Sequence, residues 1–381
     1  MLFVLNNFIQ QTTAMKRGTM IVLCTLVYST YNCASNNNGR EYQINSKEGV
    51  RIVKKGLSHP WEIIWGPDNH IWMTERDGRV SSIDPLNGNT SFSYTIEEVE
   101  SRGEGGLLGM ALDPDFVHNG FVYLSYDYGK SGSYTEKLVR YTYAQNKLSN
   151  PKILMDHVDA AGIHNGSRLW IEAGAQPKIF MSTGDASNQS MPQKTNTLNG
   201  KILRINLDGT IPTDNPFPNN PVWSYGHRNA QGLVVANGIM YSSEHGPSEE
   251  DEVNIIEKGR NYGWPEVTGP CKGRDKDFCV SHNVKEPIWS SGNNTIAVCG
   301  LDYYNKEKIP QWKNSLLMVT LKNSSLRQLK LSDDHKRIVE TKTWFAGEWG
   351  RLRDICISPD GKVYVCSSNG SDDVLVEISK L

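Results

Sequence analysis

WEIIWGPDNHIWMTERDGRVSSID, residues 61–84, sets two apolar runs, WEIIW and HIWMT, around the turn Gly66-Pro67-Asp68-Asn69, and a third, RVSSI, after Arg76-Asp77-Gly78. Short apolar runs broken by Pro, Asp, Asn and Gly are what antiparallel strands joined by tight turns require, because these residues supply the fixed or left-handed backbone angles of the turn. The same unit recurs as LLGMALDPDFVHNGFVYLSY from Leu107, LWIEAGAQPKIFMSTGD from Leu169, GLVVANGIMYSSEHG from Gly232 and RDICISPDGKVYVCSS from Arg353. A less regular sixth lies between Thr295 and Leu331, with SLLMVTLK and SLRQLKL. Unit starts fall roughly 45 to 65 residues apart, the repeat of four-stranded propeller blades with variable loops. The expected fold is an all-β, six-bladed propeller of four-stranded antiparallel blades, forming one domain over residues 40–381. A β-sandwich of repeated hairpins is the alternative, and tandem turns at blade spacing count against it.

A ring of blades must be closed. REYQINSKEGVRIVKK, residues 40–55, reads as a strand able to complete the blade that holds the C-terminal DDVLVEISKL, so that no sheet edge is left open. With 381 residues, 38% hydrophobic, 22% charged and a net charge of -2, the chain can bury a sizeable core, and neither nucleic acid nor an anionic membrane is implied as a partner.

Residues 1–35 have a different character. Lys16 and Arg17 precede an apolar run from Met20 to Tyr28 that is too short to span a bilayer, so the segment reads as a secretory leader, with Met15 as an alternative start. Cys33, followed by Ala-Ser-Asn-Asn-Asn-Gly, is either a lipid-bearing residue or is lost with the leader. The expectation is an exported protein, periplasmic or lipid-anchored to a bacterial envelope. Export permits disulfides, and Cys271 with Cys279 across a short polar loop is the plausible pair; Cys299, Cys356 and Cys366 read equally well as buried thiols.

Polar clusters in the turns carry the chemistry. They are AGIHNGSRL around His164, YGHRNAQG around Arg228, SEHGPSEEDE around Gly246, GRLRD with Arg351 and Arg353, and Lys322 in TLKN. If these loops open at one end of the ring, a histidine and four fixed cations converge on its axis. Such a cluster suits a polyanion, since Arg pairs with carboxylates through two N–H groups and Lys adds a point charge. His227 and His245 read as structural, and Trp61, Trp65, Trp72 and Trp264 as blade-core residues.

WGPDNHIWMTER, GEGGLLGMALDPDF, NGKILRINLDGTIPTDNPF, GHRNAQGL, EHGPSEEDEVNII, NYGWPEV and RLRD together resemble the soluble, quinone-dependent glucose and aldose sugar dehydrogenases, the glucose/sorbosone dehydrogenase family, from about Gly56 to the C-terminus. The resemblance implies pyrroloquinoline quinone (PQQ), a flat tricarboxylate, held by Arg228, Asn229, Lys322, Arg351 and Arg353, with Glu104 where relatives carry Gln. It implies Ca2+ at the quinone on the carbonyls of Gly246 and Pro247, and a second calcium on Asp251, Glu252 and the Tyr262 carbonyl. Hard oxygen ligands of this kind suit calcium. His164 would take the proton of the anomeric hydroxyl as hydride leaves for the quinone, and Arg228 would steady the oxygen, converting an aldose to a lactone. With no CxxCH haem motif in the chain, electrons would pass to an external acceptor.

Ile163 stands where the glucose enzyme often has Asp before the histidine, so an orienting carboxylate is expected to be missing. The segment from Glu266 to Cys299 is short beside the glucose enzyme's loops, which predicts a more open aldose site and leaves dimerisation unassigned. Two rival classes are a non-catalytic glycan- or protein-binding propeller and a calcium-dependent propeller lactonase. The first gives no reason to keep His164 with all four cations, and the second would centre its metal on acidic side chains and leave the basic cluster unexplained.

Overall fold

The computed structural model describes residues 48–130 and 133–381; the leader, with Met15 and Cys33, lies outside the described residues. β1 (Val50–Ser58) opens the described chain, followed by a first blade of β2 (Pro60–Trp65), β3 (Ile71–Glu75), β4 (Arg79–Ile83) and β5 (Thr90–Thr95). Blade two is β6 (Leu107–Leu112), β7 (Phe121–Lys130), β8 (Ser133–Ala144) and β9 (Lys147–Asp159), and blade three is β10 (Gly166–Glu172), β11 (Lys178–Thr183), β12 (Lys201–Asn206) and β13 (Val222–Tyr225). Blade four is β14 (Ala230–Ala236), β15 (Ile239–Glu244), β16 (Glu252–Ile256) and β17 (Trp289–Ser290). Blade five is β18 (Val298–Tyr304), β19 (Ser315–Thr320), β20 (Ser325–Leu331) and β21 (Ile338–Trp344), and blade six holds β22 (Leu352–Ile357), β23 (Val363–Ser367) and β24 (Ser371–Ile378). Each sheet has four antiparallel strands, and the sixth takes β1 as its outer strand, in the order β1-β24-β23-β22. Val50 sits opposite Ile378 and Arg51 opposite Glu377. The expected six blades and the expected closure by the first strand are both present.

The turn chemistry works as read. In the GPDN turn Asn69 adopts φ 61, and its N–H donates to the Gly66 carbonyl at 3.0 Å. In the SPDG turn of blade six, Gly361 takes φ 86 and donates to Ser358 at 2.9 Å. A left-handed residue closes both hairpins, which is why Asn or Gly stands there.

Apolar side chains fill the six spaces between neighbouring blades. Trp72 and Phe92 of blade one pack with Leu124 and Tyr141 of blade two, and Ile63 and Met73 of blade one pack with Tyr364 and Leu375 of blade six. Clusters of the same kind join blades two and three, three and four, four and five, and five and six. Because each blade buries its face only against its neighbours, the ring is the unit that folds. The axis is pinned by buried Arg168 of β10. Its Nη1 bonds Glu62 of β2 and lies 3.0 Å from Asp354 of β22, its Nε donates to the Gln231 carbonyl of β14 at 2.8 Å, and its guanidinium lies 4.4 Å from the Trp61 ring.

Among the described residues, besides strands, there are two short α-helices, α1 (Phe116–Asn119) and α2 (Asp275–Ser281), and a 3-10 helix at Pro310–Trp312. Cys271 and Cys279 are disulfide-bonded around the start of α2, as expected, while Cys299, Cys356 and Cys366 are free and buried.

Candidate active site

The inner strands β2, β6, β10, β14, β18 and β22 pack neighbour to neighbour around the axis. In an antiparallel blade, the loop leading into the first strand and the turn from the second to the third strand lie at the same end. Glu104, His164, Arg228 with Asn229, and Arg351 precede β6, β10, β14 and β22, while Lys322 follows β19 and Gly246 with Pro247 follow β15. The polar clusters therefore gather on one face of the ring. Cross-blade hydrogen bonds lace the loops: Glu104 N–H to Gly162 O at 2.8 Å, Gly166 N–H to Asn229 Oδ1 at 3.1 Å, and Asp185 N–H to Arg228 O at 2.8 Å.

His164 has φ 61, a left-handed angle that a non-glycine residue holds only where its surroundings compel it. Its carbonyl accepts the Ala186 N–H at 3.0 Å, and a Cβ on Gly184 would lie 1.7 Å from that carbonyl oxygen, so only glycine fits beneath the loop. The ring Nδ1 is 2.9 Å from Asp185 Oδ1, and Nε2 is 3.0 Å from Arg228 Nη2. Arginine can only donate, so Nε2 is the acceptor and the ring proton sits on Nδ1, directed at Asp185. The histidine is thereby fixed as a neutral imidazole with its lone pair at Nε2.

Asp185 overturns the expectation that Ile163 deprives the histidine of an orienting carboxylate. The carboxylate arrives from the turn after β11 instead. It is buried, takes the Ser187 N–H at 2.9 Å on Oδ1 and the Trp264 Nε1–H at 2.9 Å on Oδ2. Burial pushes its carboxyl up, but the hydrogen bonds from His164, Ser187 and Trp264 outweigh burial and hold it below the usual range. Ile163 is an exposed apolar residue at the loop tip. Trp264, expected in a blade core, is buried but works at the site, beneath Asp185 and 5.3 Å from the Arg228 guanidinium.

Buried Glu244 is a further residue that the sequence reading passed over. It receives the backbone N–H groups of Arg228 and, at 3.2 Å, of Asn229 on Oε1, and His227 Nδ1 at 2.9 Å on Oε2. His227, stacked on Tyr262 at 4.5 Å, is structural as expected. His245 lies in the site: burial depresses its pKa, while Asp251 and Glu104 pull it upward and Arg353 and Arg228 push it down.

The cations are poorly compensated. Among the described residues no carboxylate pairs with Arg76, Arg228, Lys322, Arg351 or Arg353, and the Nε atoms of Arg76, Arg228 and Arg353, with Asn229 Nδ2, are buried without a hydrogen-bond partner. Burial lowers the pKa of both Arg76 and Arg228, and the Arg353 charge adds to the effect on Arg76. Arg353 gives Nη1 to Gln231 Oε1 at 2.7 Å, while Lys322 and Arg351 are exposed at the mouth. Orphaned donors and unpaired cations in an arc that runs from buried to exposed at the mouth fit a flat polyanion with several carboxylates.

Beside this arc lies a cavity of about 20 Å³, room for a single ion or water, lined in part by Gly246, Pro247, Glu244, Glu250, Glu252 and Tyr262. Burial, then the Glu244 charge, raises the Glu252 carboxyl to about 8. Asp251 is engaged elsewhere: Oδ1 accepts the Gly246 N–H at 2.9 Å, Oδ2 accepts those of Ile296 and Ala297, and Thr295 Oγ1 bonds both oxygens. Among the described residues no group of three His, Cys, Asp or Glu side chains is arranged to hold a metal.

A family model for glucose/sorbosone dehydrogenases matches residues 57–376. The chain belongs to this family. Over 401 residues it is 30% identical to quinoprotein glucose dehydrogenase B of Acinetobacter calcoaceticus, with 82% of this chain and 84% of that one covered. It is also 30% identical over 354 residues to aldose sugar dehydrogenase YliI of Escherichia coli K12, covering 86% and 91%. The structure of the PQQ-bound form of aldose sugar dehydrogenase from Streptomyces coelicolor superimposes with a TM-score of 0.72 at 28% identity, covering 86% of this chain and 97% of the other. This glucose/sorbosone dehydrogenase family member is therefore a quinoprotein sugar dehydrogenase in class, and the family's chemistry calls for a sugar and an electron acceptor.

Proposed function

We propose that the protein oxidises aldoses at the anomeric carbon to lactones, with His164 as base and an external molecule as final electron acceptor. The observation that carries this reading is the neutral His164, its Nε2 lone pair fixed by Asp185 and placed 3.0 Å from Arg228, beside an arc of unpaired cations. Arg228, Asn229, Lys322, Arg351 and Arg353 would hold PQQ, and the carbonyls of Gly246 and Pro247 would hold its calcium. Bound there, the quinone supplies a two-electron oxidant.

The chain's own residues do the rest. His164 Nε2 accepts the proton of the anomeric hydroxyl, and Asp185 steadies the imidazolium that results. Arg228 Nη2, released from Nε2, turns its N–H to the oxygen as charge develops on it. Trp264 caps the second oxygen of Asp185 and keeps water from it. A second calcium would draw on Glu252 and the Tyr262 carbonyl at the small cavity, while Asp251, its oxygens already filled, braces the loop. A lactonase would need acidic side chains turned to a metal at the axis; here Glu62 and Asp354 are bound by Arg168. The leader supports export, periplasmic or lipid-anchored, as part of the same proposal.

The test is dye reduction by purified protein with an aldose panel, with and without PQQ and calcium, in wild type and His164→Ala. Turnover should require both additions and fall by at least about 100-fold in the variant, the usual scale of a positioned base. Absence of turnover with every aldose sinks the reading.

A further inference from the structure

Glu104 is an anion placed where a tricarboxylate gains nothing from it. Its Oε2 accepts the His164 backbone N–H at 3.3 Å, and its own N–H is tied to Gly162 O at 2.8 Å, so the half-buried carboxylate sits beside the base. The loop has no slack. A Cβ on Gly103 would lie 2.1 Å from Gly162 O, one on Gly105 would lie 2.1 Å from Asp127 Oδ2, and one on Gly106 would lie 2.1 Å from Arg76 O.

Charge is distributed unevenly around the mouth. Arg228, Lys322, Arg351 and Arg353 come from blades four, five and six, whereas Glu104 comes from blade two, next to the His164 loop of blade three. Arg76 gives its Nη1 to the Gly103 carbonyl, and no ion pair joins Arg76 or Arg228 to Glu104 among the described residues. Carboxylates held close together in a partly desolvated site repel, so Glu104 weakens the hold on an anion lying against it. Its charge is felt by Arg76 and Arg228 without an ion pair to either among the described residues, and its carboxylate lies beside whatever sits next to His164, which in the proposed reaction is the sugar.

We propose that Glu104 is a specificity-determining residue that sorts aldoses by charge, favouring 2-amino-2-deoxy and neutral sugars over uronic acids. The inference rests on the reading of the site as an aldose-oxidising one and adds to it the class of sugar that the chain selects. An ammonium on the sugar ring gains a charge-assisted hydrogen bond from the carboxylate, a neutral ring offers hydroxyl donors, and a second carboxylate is repelled. No bond to Glu104 forms or breaks in the reaction.

The experiment compares glucosamine, glucose and glucuronic acid with wild type, Glu104→Gln and Glu104→Asp, at a pH where the sugar ammonium is charged. One readout is kcat/KM of the PQQ- and calcium-loaded enzyme; the other is binding of the same three sugars to the unloaded protein by saturation-transfer NMR. Gln keeps an oxygen for the His164 N–H, and circular dichroism with thermal unfolding checks that each variant folds. The glucosamine-to-glucuronate ratio should fall about tenfold in Glu104→Gln, in both readouts, and persist in Glu104→Asp. A ratio in Glu104→Gln within twofold of wild type overturns the proposal. If the loaded enzyme oxidises none of the sugars, the oxidation reading falls, and the binding ratio still decides the role of Glu104.

Discussion

At His164 the two ring nitrogens are given opposite tasks by neighbours from different blades, Asp185 receiving at Nδ1 and Arg228 donating to Nε2. Asp185→Asn would keep the shape but lose the acceptor charge that steadies the imidazolium. Steady-state kinetics should show kcat down at least about 100-fold with KM changed far less, because the loss falls on the transition state. Buried Asp127 makes a separate prediction. Its Oδ2 accepts Asn165 Nδ2 at 3.1 Å, next to the base, and burial raises its carboxyl to about 7 from the ordinary 3.8. Between those values the folded protein holds a proton that the unfolded chain releases, so this contribution to stability is greatest below the lower value and is lost as pH rises to the upper one. Chemical denaturation at pH 4 and pH 8 should show wild type losing on the order of 4 kcal/mol relative to Asp127→Asn. His164, Arg228 and Arg351 were legible as polar residues in turns between apolar strands. Asp185 was not, since no spacing rule links it to a histidine in the preceding loop. Nor was Glu244, whose partners are backbone amides.

Strands and loops differ in how far they could be read. In blades one to four and six the first two strands carry apolar runs and a Pro/Asp/Asn/Gly turn, and these five pairs stand where the sequence put them; in blade five the runs that could be read, SLLMVTLK and SLRQLKL, are the second and third strands, β19 and β20. Outer strands such as β21, mostly exposed, and β17, two residues long, carry too little apolar pattern to be read alone. The Gly246-Pro247 turn shows how one side chain can organise an element. Asp251 binds the amides of Gly246, Ile296 and Ala297 and the Thr295 hydroxyl, fastening the turn of blade four to the loop leading into blade five. Asp251→Ala should strand those amides and cost about 3 kcal/mol in urea denaturation.

At the scale of the whole molecule, the axis and the closure do separate work. Arg168 draws together blades one, three, four and six through Glu62, Asp354 and the Gln231 carbonyl. Arg168→Met would leave two carboxylates buried without their cation, and equilibrium unfolding should show a loss of about 3–5 kcal/mol. Closure rests on β1 pairing with β24, the first and last of the described strands. A ribosome delivers those two strands at opposite ends of its task. The earliest must wait through the synthesis of five blades before its partner appears, and until then blade six lacks its outer strand and the inter-blade core it shares with blade one. Completion of the ring is therefore a late event in the life of each molecule, and a chain cut short near its end reaches its full length of blades without ever becoming a ring.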